Sequence, residues 1–457
     1  MSERTFDVIV IGAGPAGEVC AGRLAEGGLS VALVEPELVG GECSFYACMP
    51  SKALLRPGEA LAELRRVPGA AEALTGELDV RAVLSRRDEV IHDLDDSGQL
   101  PWLEDRGIEL VREHGRLDGE RRVRAGDQLL LADRAVVVAT GSGALIPPID
   151  GLREAKPWTN REITTAKEVP GRLAILGGGV VGVEMAQAWR TLGAQVTLIE
   201  GMDRLIGREE PFASEEVGES LREGGVDLWL GSRATRVGRD GGEVTIELEA
   251  GPAVLADELV VAIGRRPHTD DLGVDSVGLE PGESIEVDDR MRAGAVEGEW
   301  LYAIGDVNGR ALLTHMGKYQ ARAAADVILG KDAKVTEDGP VSPRVIFTDP
   351  QVAAVGHTLQ SAGEAGLNVR AVDGITSGNA GGSFYGRNAA GTTRLVVDED
   401  RRVLAGATFT GAEVAEFLHA ATIAVVGEVP LERLWHAVPS FPTRSEVWLD
   451  LLEEYGL

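Results

Sequence analysis

The sequence predicts an α/β fold in which one strand–turn–helix–strand module occurs twice, followed by a smaller α+β domain. Two buried-strand patterns, at residues 5–11 and 172–176, each run directly into a glycine-rich turn. After about residue 340 the pattern changes to alternating strands, at residues 344–348 and 393–397 for example, without a further turn of that kind. The 457 residues suffice for about three domains, each with its own apolar core.

The first module has the complete pattern of a dinucleotide-binding, Rossmann-like fold. Its strand leads into Gly12, Gly14 and Gly17, a helical segment follows, and the next apolar run ends at Glu35. The first glycine makes the turn, the second lets the backbone approach a pyrophosphate, and the third allows close helix–strand packing. The helix N-terminus would face the phosphates, and Glu35 is placed to accept hydrogen bonds from ribose hydroxyls. The alternative, a glycine turn with no ligand, is disfavoured by the flanking strands and the acid.

The second module repeats this arrangement with Gly177, Gly179, Gly182 and Glu200. In both copies the acid follows the last glycine by eighteen residues. Two dinucleotide folds in one chain require two dinucleotides. Electron transfer from a nicotinamide to a flavin is the simplest chemistry that uses such a pair.

Three further apolar runs end in glycine, at Gly141, Gly264 and Gly305. In each, the backbone could approach a cofactor at the carboxyl end of a sheet. Asp306, the residue after the last of these glycines, could accept from a ribityl hydroxyl or cap a helix, and the two roles are compatible.

Cys43 and Cys48 are two of only three cysteines, and they follow the first module closely. Such a pair is either half of a metal site or a redox couple. A structural zinc needs about four nitrogen or sulfur ligands, but the seven histidines are scattered and Cys20 lies inside the nucleotide module. The redox interpretation is therefore favoured, with no metal, and a pair opening a helix would have stabilised thiolates. Cys20 is expected to be a buried small apolar residue.

Composition excludes several function classes. The net charge of −29 argues against a nucleic-acid partner, because phosphate backbones attract Lys and Arg surfaces. No apolar run reaches the roughly 20 residues of a membrane span, and residues 1–7 do not form a secretory signal. Three cysteines fit a catalytic pair kept in a reducing compartment, so a cytoplasmic protein is expected.

Taken in order, these motifs resemble the pyridine nucleotide–disulfide oxidoreductases of the dihydrolipoamide dehydrogenase, glutathione reductase and mercuric reductase type. The resemblance covers essentially the whole chain, including the Cys43–Cys48 segment and the motif at residues 347–350. It implies FAD binding by residues 1–150 and 267–340 and NAD(P)H binding by residues 151–266. Residues 341–457 would form the interface of a homodimer.

The resemblance also implies roles for individual residues. Cys43 and Cys48 would form a redox-active disulfide, with Cys43 as the interchange thiol and Cys48 as the charge-transfer thiol nearer the flavin. Lys52 and Glu184 would form an ion pair beside the flavin N5, where a cation is sensible electrostatics. The implied cofactor contacts are Gly12, Gly14, Gly17, Glu35, Gly41, Glu42, Lys52, Gly115, Thr140, Gly141, Ser142, Gly177, Gly179, Gly182, Glu200, Gly264, Arg265, Asp306, Leu313, Thr314 and His315.

The chain departs from the family pattern at Phe441, which stands where disulfide reductases carry a histidine reaching the partner subunit's active site. Glu446, which would orient that histidine, is present and is predicted to be catalytic. Phenylalanine transfers no proton, so the usual acid–base pair is missing. Phe45 and Tyr46 also replace smaller or polar residues. They either narrow access to Cys43 and offer a stacking surface, or simply pack.

Two functions remain open at this stage. The first is an NADH-dependent, FAD-containing reductase of a small disulfide, and the second passes electrons on the same scaffold to a quinone, metal ion or small electrophile. A flavoprotein without turnover is a third, weaker alternative. Glu200 favours NADH because a carboxylate repels a 2′-phosphate, whereas Arg204 and Arg208 would favour NADPH if they reached that phosphate.

Overall fold

The computed structural model describes residues 2–457. Its strands lie where the sequence predicts apolar or alternating runs. They are β1 Ser2–Ile11, β2 Val31–Val34, β3 Glu109–Val111, β4 Gly115–Leu117, β5 Arg122–Ala125, β6 Gln128–Val138, β7 Ser142–Ala144, β8 Arg172–Leu176, β9 Gln195–Ile199, β10 Asp227–Trp229, β11 Ala234–Asp240, β12 Glu243–Leu248, β13 Val254–Ala256, β14 Glu258–Val261, β15 Arg265–Pro267, β16 Leu301–Ala303, β17 Arg344–Ile346, β18 Gln351–Gly356, β19 Val369–Ile375, β20 Thr392–Asp398 and β21 Val403–Gly411.

Helices follow the first strand of each module and cover the sheet of the C-terminal region. They are α1 Pro15–Glu26, α2 Gly41–Phe45, α3 Cys48–Arg66, α4 Val80–Val90, α5 Leu100–Glu104, α6 Asn160–Thr165, α7 Val180–Thr191, α8 Pro211–Glu223, α9 Thr314–Ile328, α10 Leu359–Glu364, α11 Leu418–Val426, α12 Leu431–Leu434 and α13 Val447–Tyr455.

The first of two compact units comprises residues 2–50, 87–145 and 264–339. Its main sheet has the order β3-β2-β1-β6-β5-β4, and β16 pairs with β6 as a seventh strand. The strands β3, β2, β1, β6 and β16 run parallel, so their carboxyl ends meet at one edge. Apolar cores fill both faces, with Leu33 and Val137 on one side and Ile9 and Val136 on the other. Helices α1 and α9 pack together on one face.

The second unit comprises residues 51–86, 146–263 and 340–457. Its parallel sheet, β10-β9-β8-β14, carries the second glycine turn, and a small antiparallel sheet, β11-β12-β13, lies in the same sequence segment. The C-terminal region forms an antiparallel sheet of order β17-β18-β21-β20-β19, with α11 and α13 packed on it, as the α+β prediction requires. Residues 51–86 belong to this unit because Leu54 and Leu84 share an apolar core with Ile175 and Val183.

No helix within residues 2–457 combines the length and the apolar character needed to cross a membrane. Over the same residues, no three His, Cys, Asp or Glu side chains are grouped so as to hold a metal ion.

Candidate active site

The first glycine turn has the geometry that dinucleotide binding needs. Gly12 has a φ of 103°, and a Cβ there would lie 2.4 Å from the Ala139 carbonyl oxygen. A Cβ on Gly17 would lie 1.9 Å from the Gly12 oxygen, so α1 could not approach the turn. In contrast, a Cβ on Gly14 would meet no atom within 4 Å. The middle glycine therefore borders open space at the start of α1, where a pyrophosphate would fit.

The second glycine turn reproduces this geometry within its own unit. Gly177 has a φ of 110°, and a Cβ on Gly182 would lie 1.8 Å from the Gly177 oxygen. A Cβ on Gly179 would again meet nothing within 4 Å. Both turns thus fit the two dinucleotides, FAD and NAD(P)H, that the sequence predicts.

Glu35 and Glu200, at the ends of β2 and β9, accept hydrogen bonds from backbone N–H groups of the glycine turns. Both also lie where the sequence predicts a ribose. Glu35 accepts from the backbone N–H of Ala13 at 2.9 Å through Oε2 and from Glu37 at 2.8 Å through Oε1. Burial raises the pKa of Glu35 despite these bonds. Because a carboxylate oxygen accepts about two hydrogen bonds, one site on each oxygen remains for a ribose hydroxyl.

The segment that carries the cysteines lies directly on the first glycine turn. The N–H of Gly40 donates to the Ala13 carbonyl at 2.8 Å. A Cβ on Gly41 would lie 2.8 Å from the Gly14 Cα, and Gly41 has a φ of 55°. A larger residue at Gly41 would push the cysteine segment away from the turn, which explains why glycine stands there.

Cys43 and Cys48 lie next to each other, with no disulfide bond between them. Cys48 begins α3, whereas Cys43 lies in the preceding five-residue helix α2. The expectation that both cysteines open one helix was therefore wrong, because a turn at residues 46–47 separates the two helices. Cys48 lies at the N-terminus of a 19-residue helix and Cys43 in the first turn of a five-residue one, so helix stabilisation of a thiolate is stronger at Cys48.

Thr314, the first residue of α9, contacts both sulfurs. Its Oγ1 lies 3.4 Å from the Cys48 Sγ. A hydrogen bond with Cys48 and then burial raise the pKa of the Cys43 thiol, whereas hydrogen bonding with Thr314 and the charge of Lys318 act to lower it. Because the charge of each sulfur opposes ionisation of the other, the reduced pair favours a single thiolate.

Ser142, Arg265 and Asp306 form a hydrogen-bonded network in the first unit. Ser142 is buried and its hydroxyl donates to Asp306 Oδ2 at 2.6 Å, while Arg265 Nε donates to Ser142 Oγ at 2.7 Å. Arg265 and Asp306 are also 3.5 Å apart. Thr140, two residues before the serine, donates to the His268 carbonyl at 3.0 Å. The network fixes the Asp306 carboxylate beside the end of β6.

Other predicted contacts lie around the same sheet edge. A Cβ on Gly115 would touch Ile11 and Val34 at 3.0 Å, so this glycine lies against the ends of β1 and β2. Glu42 lies in the first turn of α2. The remaining first-unit residues occupy turns or the start of α9; they are Gly141 and Gly264, with φ of 70° and 153°, Leu313 at the N-cap, and the exposed His315.

In the second unit, Lys52 and Glu184 form the predicted ion pair. The Lys52 Nζ lies 2.7 Å from Glu184 Oε2, and the other carboxylate oxygen accepts the Phe347 N–H at 2.9 Å. The ammonium also lies 4.8 Å from the centre of the Phe347 ring. Glu184 is buried, 3% exposed, and Lys52 lies one helical turn after Cys48 on α3. Phe347 was missed as a member of this cluster because it is distant in sequence.

Glu200 braces the second glycine turn and leaves acceptor sites for a ribose. Its Oε2 accepts from the Gly178 N–H at 2.5 Å, and its Oε1 accepts from the Met202 N–H at 2.7 Å. Arg204 donates to the carbonyls of Glu209 and Gly207 at 2.9 Å and 2.6 Å, so its guanidinium is already bonded within its own loop.

Two exposed cations remain in this region. Arg208 lies on the surface of the loop, and the Arg233 side chain lies against Gly201, with Cγ 3.3 Å from where a Cβ would be. Arg233 is therefore a cation close to the end of β9 that the sequence alone did not indicate.

At the C-terminus the structure leaves an acid without its usual partner. Glu446 lies in a short helical turn, and its Oε2 is buried with no hydrogen-bond partner. Phe441 is 76% exposed. Phe45 is only 2% exposed and its ring lies against Gly40, which supports the packing interpretation for that residue. Cys20 is fully buried and burial raises its pKa to about 12, as expected for an unreactive thiol.

Comparison with known proteins agrees with this geometry. Residues 6–325 match the family described as pyridine nucleotide-disulphide oxidoreductase, and residues 342–451 match the dimerisation domain of the same family. A dihydrolipoyl dehydrogenase of Thermus scotoductus is 32% identical over 98% of this chain and 97% of its own length. A mercuric reductase of Staphylococcus aureus is 30% identical over 96% of this chain and 81% of its own length.

Solved structures share the fold. The HOCl-induced flavoprotein disulfide reductase RclA from Escherichia coli superposes with a TM-score of 0.85 at 24% identity, covering 98% of this chain and 99% of its own. LpdA from Mycobacterium tuberculosis superposes with a TM-score of 0.85 at 23% identity over both complete chains. The dimerisation domain indicates a homodimer, and members of this family use FAD and NAD(P)H. The chain belongs to the pyridine nucleotide–disulfide oxidoreductase family and is an oxidoreductase.

Proposed function

We propose that this protein is an FAD-dependent NAD(P)H oxidoreductase in which Cys43 and Cys48 alternate between disulfide and dithiol and reduce a small acceptor. The observation that carries the proposal is the contact of both sulfurs with Thr314, beside the open glycine turn at Gly14. This position supports the redox interpretation of the cysteine pair.

The first unit would hold FAD through the turn at Gly14, the Glu35 carboxylate and the network around Asp306. When bound, FAD would supply the two-electron chemistry that links the nicotinamide to the cysteine pair. The residues provide the rest: Cys48, at the start of α3, holds the negative charge of the reduced pair, and Cys43 retains the proton. Cys43 would then be the thiol that meets the acceptor.

Lys52 supplies a positive charge that Glu184 holds in a fixed place. The carboxylate cannot swing away, because it also accepts the Phe347 N–H. A fixed ammonium next to developing negative charge costs no reorganisation during the reaction. We assign the pair this electrostatic role.

The donor is proposed to be NADH, bound by the turn at Gly179 with its ribose on Glu200. Arg204 is committed to loop carbonyls and therefore does not favour a 2′-phosphate. The proposed domains are FAD-binding residues 1–150 and 267–340, NADH-binding residues 151–266 and interface residues 341–457. Exposed apolar side chains in the last segment, Ile423, Val438 and Phe441, fit a homodimer interface.

The two candidate functions differ in the chemical class of the electron acceptor. Glu446 has a buried oxygen without a partner and Phe441 cannot transfer a proton, so the family's usual acid–base pair does not operate here. This favours an acceptor that needs no such pair, such as a quinone, a metal ion or a small electrophile. The retained cysteine pair favours a disulfide.

A panel of acceptors with four forms of the protein tests the proposal. NADH oxidation is measured with lipoamide, glutathione disulfide, a quinone and a metal ion for wild type, Cys43→Ser, Phe441→His and Val438→His. We expect Cys43→Ser to abolish the best wild-type activity. If that activity survives, the acceptor takes electrons without the thiols and the second function is correct.

The histidine variants test the missing base. General acid–base catalysis contributes about 100- to 10,000-fold, so Phe441→His is expected to raise lipoamide turnover measurably while quinone turnover stays unchanged. Val438→His adds an imidazole three residues earlier on the same proposed interface and is the matched control, expected to give no gain in lipoamide turnover. Equal effects of both variants would show that the Glu446 carboxylate is irrelevant.

A further inference from the structure

Helix α9 carries a charged residue, Lys318, that lies close to the cysteines and belongs to none of the motifs described above. Thr314 contacts both sulfurs at the first turn of the helix. Lys318 lies four residues later, so the two side chains lie on the same face of α9. The charge of Lys318 acts on Cys43, whose pKa it lowers. A cation of the same subunit thus lies within electrostatic reach of Cys43.

Helix α1 places a carboxyl next to the same lysine. Glu18 lies one turn after Gly14, where the cysteine segment rests on the glycine turn through Gly41. Helices α1 and α9 pack together, with Gly317 close to Ala16. Burial raises the pKa of Glu18 to about 7, and the charge of Lys318 acts in the opposite direction. Lys318 therefore interacts with both Glu18 and Cys43.

We propose that Lys318 is the cation that stabilises the Cys43 thiolate in this protein, and that Glu18 sets how much of its charge reaches the sulfur. The inference rests on the proposed role of Cys43 as the thiol that meets the acceptor. In this proposal, side chains on α1 and α9 of the same subunit stabilise the Cys43 thiolate, which Phe441 cannot do.

The protonation state of Glu18 determines how strongly the charge of Lys318 acts on Cys43. An ionised Glu18 offsets the charge of Lys318, and a protonated Glu18 leaves that charge to act on Cys43. Near neutral pH Glu18 changes between these states, so Cys43 ionisation becomes linked to the carboxyl. The packed elements carry further titratable groups in their first turns, namely Glu42 on α2, Cys48 at the start of α3 and His315 on α9.

The ionisation of Cys43 can be measured without turnover. In Cys48→Ser protein, Cys43 is the one accessible thiol, since Cys20 is fully buried. The rate of iodoacetamide alkylation against pH then gives the midpoint of Cys43 ionisation. The protein carrying serine at both positions 43 and 48 gives the background rate.

Two variants in this background are expected to shift the midpoint in opposite directions. Lys318→Met is expected to raise it by about one pH unit, because a nearby opposite charge lowers a pKa by one unit or more. At fixed pH below the midpoint, alkylation would slow by about threefold, since the higher intrinsic nucleophilicity of the thiolate offsets part of the loss. Lys318→Arg is expected to restore the wild-type midpoint, and Glu18→Gln to lower it.

The control is Lys331→Met, which removes a lysine bonded to Asp326 beyond the far end of α9. Its midpoint is expected to equal that of the parent. Unchanged midpoints in Lys318→Met and Glu18→Gln, or shifts of the same sign in both, would overturn the inference. Because no acceptor is present, this result is independent of the acceptor panel, which alone decides whether Cys43 carries turnover.

Discussion

Replacing Glu200 by glutamine should change the choice between NADH and NADPH, because this carboxylate is the negative charge predicted at the nicotinamide ribose. Each oxygen already accepts one backbone N–H, from Gly178 and Met202, and retains one acceptor site. Glutamine keeps the shape but loses the charge and turns one acceptor into a donor. That donor then faces a backbone N–H of the turn, which weakens binding of both nucleotides equally.

The expected magnitude follows from the two ribose hydrogen bonds and from charge repulsion. Hydrogen bonds to a charged group contribute about 1.5–3 kcal/mol and neutral ones about 0.5–1.5 kcal/mol, so two bonds lose about 2 kcal/mol, or roughly 30-fold, for NADH. Repulsion between a carboxylate and a phosphate dianion is about 2 kcal/mol at 4 Å in water, and NADPH no longer meets it. The ratio of kcat/KM for NADH to that for NADPH should fall on the order of 100-fold or more.

Steady-state kinetics with both nucleotides and one fixed acceptor measure this ratio. Glu215→Gln, a change on the exposed side of α8, is the matched control and should leave it unchanged. A wild-type preference for NADPH would refute the reasoning and direct attention to Arg233. A ratio in the Glu200→Gln protein within threefold of wild type would show that the ribose does not lie on this carboxylate.

Two further predictions concern the first unit. A Cβ in Gly14→Ala meets no protein atom, so the flavin-free variant should melt like flavin-free wild type but bind FAD at least tenfold more weakly. Gly17→Ala forces its Cβ against the Gly12 oxygen and should not fold stably. Undiminished flavin retention by Gly14→Ala would place the pyrophosphate elsewhere. Burial raises the pKa of Glu18 from 4.5 to about 7, so its stabilising contribution is complete below pH 4.5 and disappears as the pH rises through 7. Glu18→Gln should therefore gain up to about 3 kcal/mol over wild type at pH 8 and little at pH 4.5, and a melting-temperature difference that does not vary with pH would contradict this.

The nucleotide modules could be predicted from sequence because their requirements are local. Gly12 and Gly17 are needed by a turn of six residues, and the acid ends the next strand of the same module. The alternation of residues beyond 340 likewise predicts an antiparallel sheet without knowledge of its partners. Such features depend on spacing that can be counted along the chain.

The contacts that define the site could not be predicted in this way. Thr314 meets Cys48 across 266 residues, and Phe347 donates to Glu184 across 163. The packing of whole helices and strands brings each pair together, and no periodic pattern in the sequence indicates such a contact. The interaction of Lys318 with Cys43 belongs to the same class.

The cysteine segment shows where local reasoning fails. Two cysteines with four residues between them were expected to open one helix, but the chain forms two helices with a turn between them. The left-handed backbone of Gly40 and Gly41 and their fit against the glycine turn fix α2 as a separate element. This packing, and not helix propensity, decides which thiol lies at a helix N-terminus.

An anaerobic titration with dithionite tests the central claim most directly, because it counts the electrons that each chain accepts. If Cys43 and Cys48 form a redox couple beside FAD, wild type should take up two electrons for the flavin and two for the disulfide. Cys43→Ser and Cys48→Ser should each take up only the two electrons of the flavin. Uptake of only two electrons by the oxidised wild-type protein would show that the cysteines are not a redox couple and would contradict the account.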